Sequence, residues 1–99
     1  MAVTAQEKKR LKSIAHHLSP VAQIGAQGMS ESFVQSVRDA ITARELVKVK
    51  VSSTNKKESA KELAELVGAE LINLIGFNAI LYKYNKNNEE HILDNKEEL

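Results

Sequence analysis

Leu46 to Val51 alternates apolar and cationic residues, Val47, Val49 and Val51 against Lys48 and Lys50, and it lies between two segments whose apolar residues recur at helical spacing. A period of two describes a strand with one wet face. A strand with a helix on either side restricts the chain to an α/β arrangement, in which strands joined through helices usually run parallel. The helical stripes are Leu11, Ile14, Ala15 and Leu18; Phe33, Val34, Val37, Ala40 and Ile41, ending near Arg44; and Ala60, Leu63, Ala64 and Val67. Their boundaries are marked as well. Thr4-Ala5-Gln6-Glu7 has capping-box spacing, Pro20 stops the first helix, Ser52 to Asn55 supplies caps for the third, and Gly68 is placed as its C-cap. Leu71 to Ile75 and Ala79 to Tyr84 read as two further strands, and Gly76, Phe77 and Asn78 leave room only for an antiparallel hairpin.

Pro20 to Ser30 is a short strand running through a glycine-bracketed loop into a helix capped by Ser30. The predicted order is therefore αβαβαββ, a single compact α/β domain with a four-stranded mixed sheet packed with helices. The order of strands within the sheet is not written in the pattern.

With 99 residues the chain makes one domain with one modest core, and 4% aromatic content makes that core aliphatic. The absence of cysteine removes disulfides, Cys-based zinc sites and thiol catalysis. No apolar run is long enough for a membrane span or a leader, so the expectation is a cytoplasmic, monomeric protein without a membrane partner. The net charge of +1 is unevenly spread: twelve Lys and Arg face eight Asp and Glu up to Tyr84, and two Lys face five Asp and Glu from Asn85 onward. Residues 1–84 are thus read as a basic folded domain, and 85–99 as a polar acidic tail expected to be mostly mobile.

Gly25 and Gly28 bracket a loop that another backbone can approach, and the amides and dipole of the following helix point toward it, an arrangement suited to phosphate. Two glycines three apart equally make an ordinary strand-to-helix turn. On the first helix Lys9, Lys12 and His16 fall opposite the apolar stripe, with Arg10 and His17 on a flank. They line an RNA path or form a solvated helix face. His16 and His17 point about 100° apart and so do not share a metal; each either contacts RNA or sits partly buried near the loop on a carbonyl. Arg44, Lys48 and Lys50 extend a basic surface or belong to a half-exposed strand. Tyr82 and Tyr84 offer rings for stacking, but with so few aromatics Phe33, Phe77 and Tyr82 are expected in or at the edge of the core. There is no Gly-x-x-x-x-Gly-Lys-Ser/Thr loop, no His-Glu-x-x-His helix and no cysteine nucleophile, so neither an enzyme nor a cofactor, metal or small-molecule substrate is expected.

Leu11-Lys12-Ser13-Ile14-Ala15-His16-His17-Leu18, Pro20, Gln23-Ile24-Gly25-x-x-Gly28, Ala43-Arg44-Glu45-Leu46-Val47-Lys48-Val49, and Ile75-Gly76 with Ile80-Leu81-Tyr82-Lys83 follow one another along the chain. In these words, between Thr4 and Tyr84, it resembles the CRM domain (chloroplast RNA splicing and ribosome maturation), whose stand-alone bacterial form is the YhbY-type protein. The resemblance implies a fold similar to the C-terminal domain of translation initiation factor three, binding of ribosomal RNA, and association with large-subunit precursors during assembly. It points to Gly25, Ala26, Gln27, Gly28 and Ser30 as the RNA-contacting loop, with Lys9, Arg10, Lys12, His16, His17, Arg44, Lys48 and Lys50 as supporting groups. Members usually carry lysine directly after the first glycine, where this chain has Ala26, so the loop's shape is kept without its charge. The competing reading is an adaptor that docks on a ribosomal protein or assembly factor without clamping RNA.

Overall fold

The computed structural model describes residues 3–25, 27–51 and 54–93. Seven elements follow in the predicted order: α1 (Ala5–Ala15), β1 (Ala22–Gln23), α2 (Glu31–Arg44), β2 (Leu46–Lys50), α3 (Lys56–Val67), β3 (Glu70–Ile75) and β4 (Asn78–Tyr82). The Thr4–Glu7 capping box forms in both directions, and Gly68 ends α3 in the left-handed conformation. α1 stops at Ala15, well before Pro20; His17 and Leu18 close tighter bonds to Ile14 and Ala15, and Leu18 packs on the core below α1. Asn55 precedes α3 but makes no side-chain capping bond, and Ser52 and Ser53 lie outside the described residues.

The sheet is mixed, in the order β1-β2-β4-β3. β1 runs parallel to β2, while β4 is antiparallel to both of its neighbours. α2 leads from the C-terminal end of β1 to the start of β2, and α3 from the end of β2 to the start of β3. The N-termini of both helices therefore stand at the sheet end where β1 and β2 finish. The β3–β4 turn is at that end too, because Lys50 pairs with Asn78 and Asn78 with Ile75.

Alternation along the strands divides the core between two faces. Val47, Val49 and Leu81 pack with Val34, Val37 and Ile41 of α2 and Leu63, Ala64 and Val67 of α3. Leu46, Ile80 and Tyr82 pack on the other face with Leu11 and Ala15 of α1. Leu71 faces the α2–α3 side and Ile72 the α1 side, and a bulge between Leu71 and Asn73 leaves Ile72 without a paired residue on β4. Tyr82 is buried as expected, but its hydroxyl has no hydrogen-bond partner among the described residues. Burial first, and the Glu45 carboxylate second, push its phenol upward.

Residues 85–93 pack against this body, and the rest of the segment read as an acidic tail, 94–99, lies outside the described residues. Glu45, between α2 and β2, is 1% exposed and has φ 67°. Its carboxylate accepts hydrogen bonds from His91 Nδ1 at 2.7 Å, the Asn85 amide at 2.9 Å and the Ile92 amide at 3.2 Å. The Asn85 and Asn88 side chains donate to the Thr42 carbonyl in the last turn of α2, and Leu93 is buried in the α1-side core. Tyr84 stacks on His91 with ring centroids 4.4 Å apart. Polar composition does not reveal three donors converging on one buried carboxylate.

Two outcomes follow. Glu45→Ala leaves those donors without an acceptor and is expected to cost about 3 kcal/mol in urea unfolding. Tyr82→Phe removes an unpartnered hydroxyl and is expected to leave stability at neutral pH within about 1 kcal/mol of wild type. A raised phenol contributes stability that is complete below the ordinary tyrosine value of 10.0 and is lost as pH rises beyond it. Alkaline unfolding should therefore set in at higher pH in Tyr82→Phe than in wild type, as followed by circular dichroism.

Candidate nucleic-acid interface

β1 is held to β2 by Val21 N–H donating to the Lys48 carbonyl at 2.8 Å and Ile24 N–H to that of Lys50 at 2.9 Å. The chain then turns at once: Gly28 N–H donates to the Gly25 carbonyl at 3.0 Å, and Ser30 N–H to that of Gly28 at 2.9 Å. Gly28 has φ +71°, the left-handed conformation that admits glycine without strain. Gly25 is different. Its φ is not positive, it is exposed, and a Cβ built there meets nothing within 4 Å. Neither backbone conformation nor neighbouring atoms require glycine at position 25.

Ser30 caps α2, its Oγ accepting from Phe33 N–H at 3.2 Å. The amides of Glu31 and Ser32, the first two of the helix, have no intrahelical acceptor. Loop and helix start together line an open cleft of about 400 Å³ with Ala22, Gln23, Gly25, Gln27, Gly28, Ser30 and Ser32 among its walls. It offers backbone donors, hydroxyls and the positive end of a helix dipole, a combination that suits a phosphate oxygen. Ala26 lies outside the described residues.

Lys50 pairs with Gln23 and is exposed directly beside the loop. Lys48, two residues back on the same face, is half-buried near the sheet surface covered by α1. Lys9, Arg10, Lys12, His16 and His17 are exposed on α1 or at its end, on this same side of the sheet. The two histidine rings meet edge-on, 5.4 Å apart, and neither is partly buried near the loop. The partly buried histidine is His91, whose Nδ1 meets the Glu45 carboxylate at the opposite end of the sheet from the loop. Arg44 is not brought to the loop: it precedes β2, at the opposite end of a strand about 17 Å long, beside Leu18–Val21 and the segment containing Asn88–Ile92.

Among the described residues, no three His, Asp or Glu side chains group to hold a metal ion, and no helix is long and apolar enough to cross a membrane. Phe77, expected at the core, is 43% exposed at the tip of the β3–β4 hairpin with Lys56 Nζ 5.2 Å from its ring centre. Its place in a two-residue turn is the signal that outweighs its size.

The CRS1 / YhbY (CRM) domain matches residues 3–83, which include every element of the sheet and the whole glycine loop. This chain belongs to that family. Within it, the chain is 34% identical over 91 residues to "Probable RNA-binding protein YqeI" of Bacillus subtilis, a match covering 89% of this chain and 95% of that protein. It is 30% identical over 84 residues to a Haemophilus influenzae protein named "RNA-binding protein", covering 82% and 85% of the two chains. The solution structure of SAV1595 from Staphylococcus aureus superposes with a TM-score of 0.76 at 35% identity, over 89% of this chain and 95% of that one. The CRM match ends at Lys83, so the contacts made by Asn85–Leu93 to Glu45 lie just beyond it.

The two loop glycines should separate in a stability measurement. Gly28→Ala is expected to cost about 1 kcal/mol, because a Cβ at positive φ is strained. Gly25→Ala is expected to be neutral or stabilising by up to about 1 kcal/mol through the unfolded state. Urea unfolding of both variants checks the contrast.

Proposed function

We propose that this chain is a non-enzymatic RNA-binding protein that clamps a sugar-phosphate backbone on the Gly25–Gly28 loop, and that it associates with large ribosomal subunit precursors to assist their assembly. The observation that carries this reading is the exposed Gly25, which folding does not require, beside an α2 start whose amides face open space. In KH domains, a Gly-x-x-Gly loop clamps RNA in this way. The names of the relatives from Bacillus subtilis and Haemophilus influenzae support the same ligand class.

With Ala26 where the family commonly has lysine, the loop holds phosphate through backbone amides and the Ser30 and Ser32 hydroxyls. Lys50 supplies the nearest charge. Lys9, Arg10, Lys12, His16, His17 and Lys48 form a broader basic side that draws RNA in and positions it. Arg44 stands apart from the clamp and serves a second stretch of backbone at most. Release follows when maturation removes the accessible segment of ribosomal RNA.

The adaptor reading has its own surface, a groove of about 670 Å³ between α2 and α3 lined by Met29, Val34, Arg38 and Leu66. Binding to large-subunit ribosomal RNA across a salt series tests one reading against the other. For a single-stranded contact the binding constant should fall by about 0.7 log unit per tenfold salt for each phosphate neutralised, and Lys50→Ala should lower that slope by about one phosphate's worth. Gly28→Asn and Gly28→Asp carry similar backbone strain, so the aspartate should bind at least about tenfold more weakly for its charge alone. In sucrose gradients the tagged protein should travel with large-subunit precursors at low salt and leave them at moderate salt. A salt-independent association abolished by Leu66→Ser would favour the adaptor.

A further inference from the structure

We propose that the tip of the β3–β4 hairpin is a base-stacking site, in which Phe77 receives an unpaired nucleobase of RNA and Lys56 holds the neighbouring phosphate. The site extends the interface proposed above and rests on the reading that this chain binds RNA. Ile75 is 51% exposed and Phe77 43%, and neither is among the buried residues of the three apolar clusters. In a chain with 4% aromatic residues, a ring left 43% exposed gains less for folding than one placed in the core.

The ring is nevertheless well placed. Gly76, at φ +59°, takes the first position of a two-residue turn, the arrangement that lets a short loop follow the twist of its strands. The Phe77 carbonyl accepts a 2.7 Å hydrogen bond from Val51 N–H, which ties the tip to the end of β2. Lys56, in the first turn of α3, already sits 5.2 Å from the ring centre. An aromatic ring with a cation over one face matches the two parts of a nucleotide, a flat base for the ring and an anionic phosphate for the cation.

The sheet order connects this tip to the loop. The hairpin turn bridges β4 and β3, two to three strands from β1, so tip and β1 end are separated by about 10–15 Å, within reach of the roughly four nucleotides that a Gly-x-x-Gly loop of the KH type engages. Exposed Lys50 lies between them, and Lys57 follows Lys56, against Glu58 as the acidic residue of that turn. The paired row Gln23, Lys50, Asn78 and Ile75 thus forms a track from loop to tip along the part of the sheet that α1 leaves uncovered.

The chain contains no tryptophan, so Phe77→Trp introduces the sole indole. Titration of this variant with partially hydrolysed large-subunit ribosomal RNA should quench its fluorescence saturably. Phe77→Leu, which keeps apolar bulk without the aromatic face, should bind that RNA on the order of tenfold more weakly with an unchanged salt slope and unchanged unfolding. If Phe77→Leu binds like wild type and the indole is not quenched, while Gly28→Asp loses binding, the hairpin site is refuted and the clamp stands. If Phe77→Leu weakens binding and Gly28→Asp does not, the clamp is refuted and stacking is kept. Failure of the wild-type chain to bind RNA overturns both.

Discussion

The parallel pairing of β1 with β2 is the constraint on which the rest of the candidate site depends. β1 is only two residues long, yet its bonds to the Lys48 and Lys50 carbonyls set where the chain leaves the sheet. Because α2 must then return to the start of β2, its N-terminus is fixed at the same end as the loop. β4, inserted between β2 and β3, brings the hairpin turn to that end as well. Loop, helix start, Lys50 and hairpin tip are thus gathered by strand order, although in sequence they lie in segments far apart. Ligands of open α/β sheets commonly sit beyond the carboxyl ends of strands, where helix N-termini offer unpaired amides.

The other end of the sheet holds the chain closed. There Glu45 occupies a positive-φ position between α2 and β2 and gathers His91 and the amides of Asn85 and Ile92. The same segment caps the carbonyl end of α2 with Asn85 and Asn88. Donors at one end of α2 face outward, while acceptors at its other end are satisfied internally. The polarity of a single helix accordingly separates the end suited to an anionic ligand from the end that stabilises the fold.

Much of the fold was legible because local chemistry agreed with the final arrangement. Val47, Val49 and Lys50 alternate as a half-exposed strand should, Thr4 and Glu7 pair as their spacing implies, and Gly68 ends α3 where a glycine was needed. Strand order was not legible, since nothing local tells β4 to pair with β2 as well as with β3. The loop glycines and Ser30 could be singled out from spacing, but the distinction between Gly28, which the backbone needs, and Gly25, which it does not, required coordinates. The Glu45–His91 contact joins residues 46 positions apart and leaves only a faint trace in sequence, a carboxylate at the start of an apolar strand. Arg44 and Lys50 looked like one basic surface along the chain, and the length of β2 divides them. Phe77 was misplaced by the general preference of large aromatics for the core.

The central claim is that RNA meets this protein at the end of the sheet where β1 and β2 finish. Backbone amide chemical-shift mapping with large-subunit ribosomal RNA fragments at low salt tests it most directly. Perturbations concentrated at Gly25, Gln27, Gly28, Ser30 to Ser32 and Lys50, with Thr42 to Glu45 and Asn85 to Leu93 unmoved, are the predicted result. Perturbations confined to the Glu45 end, or to the groove around Met29 and Leu66 with Gly25 and Lys50 unmoved, would contradict it.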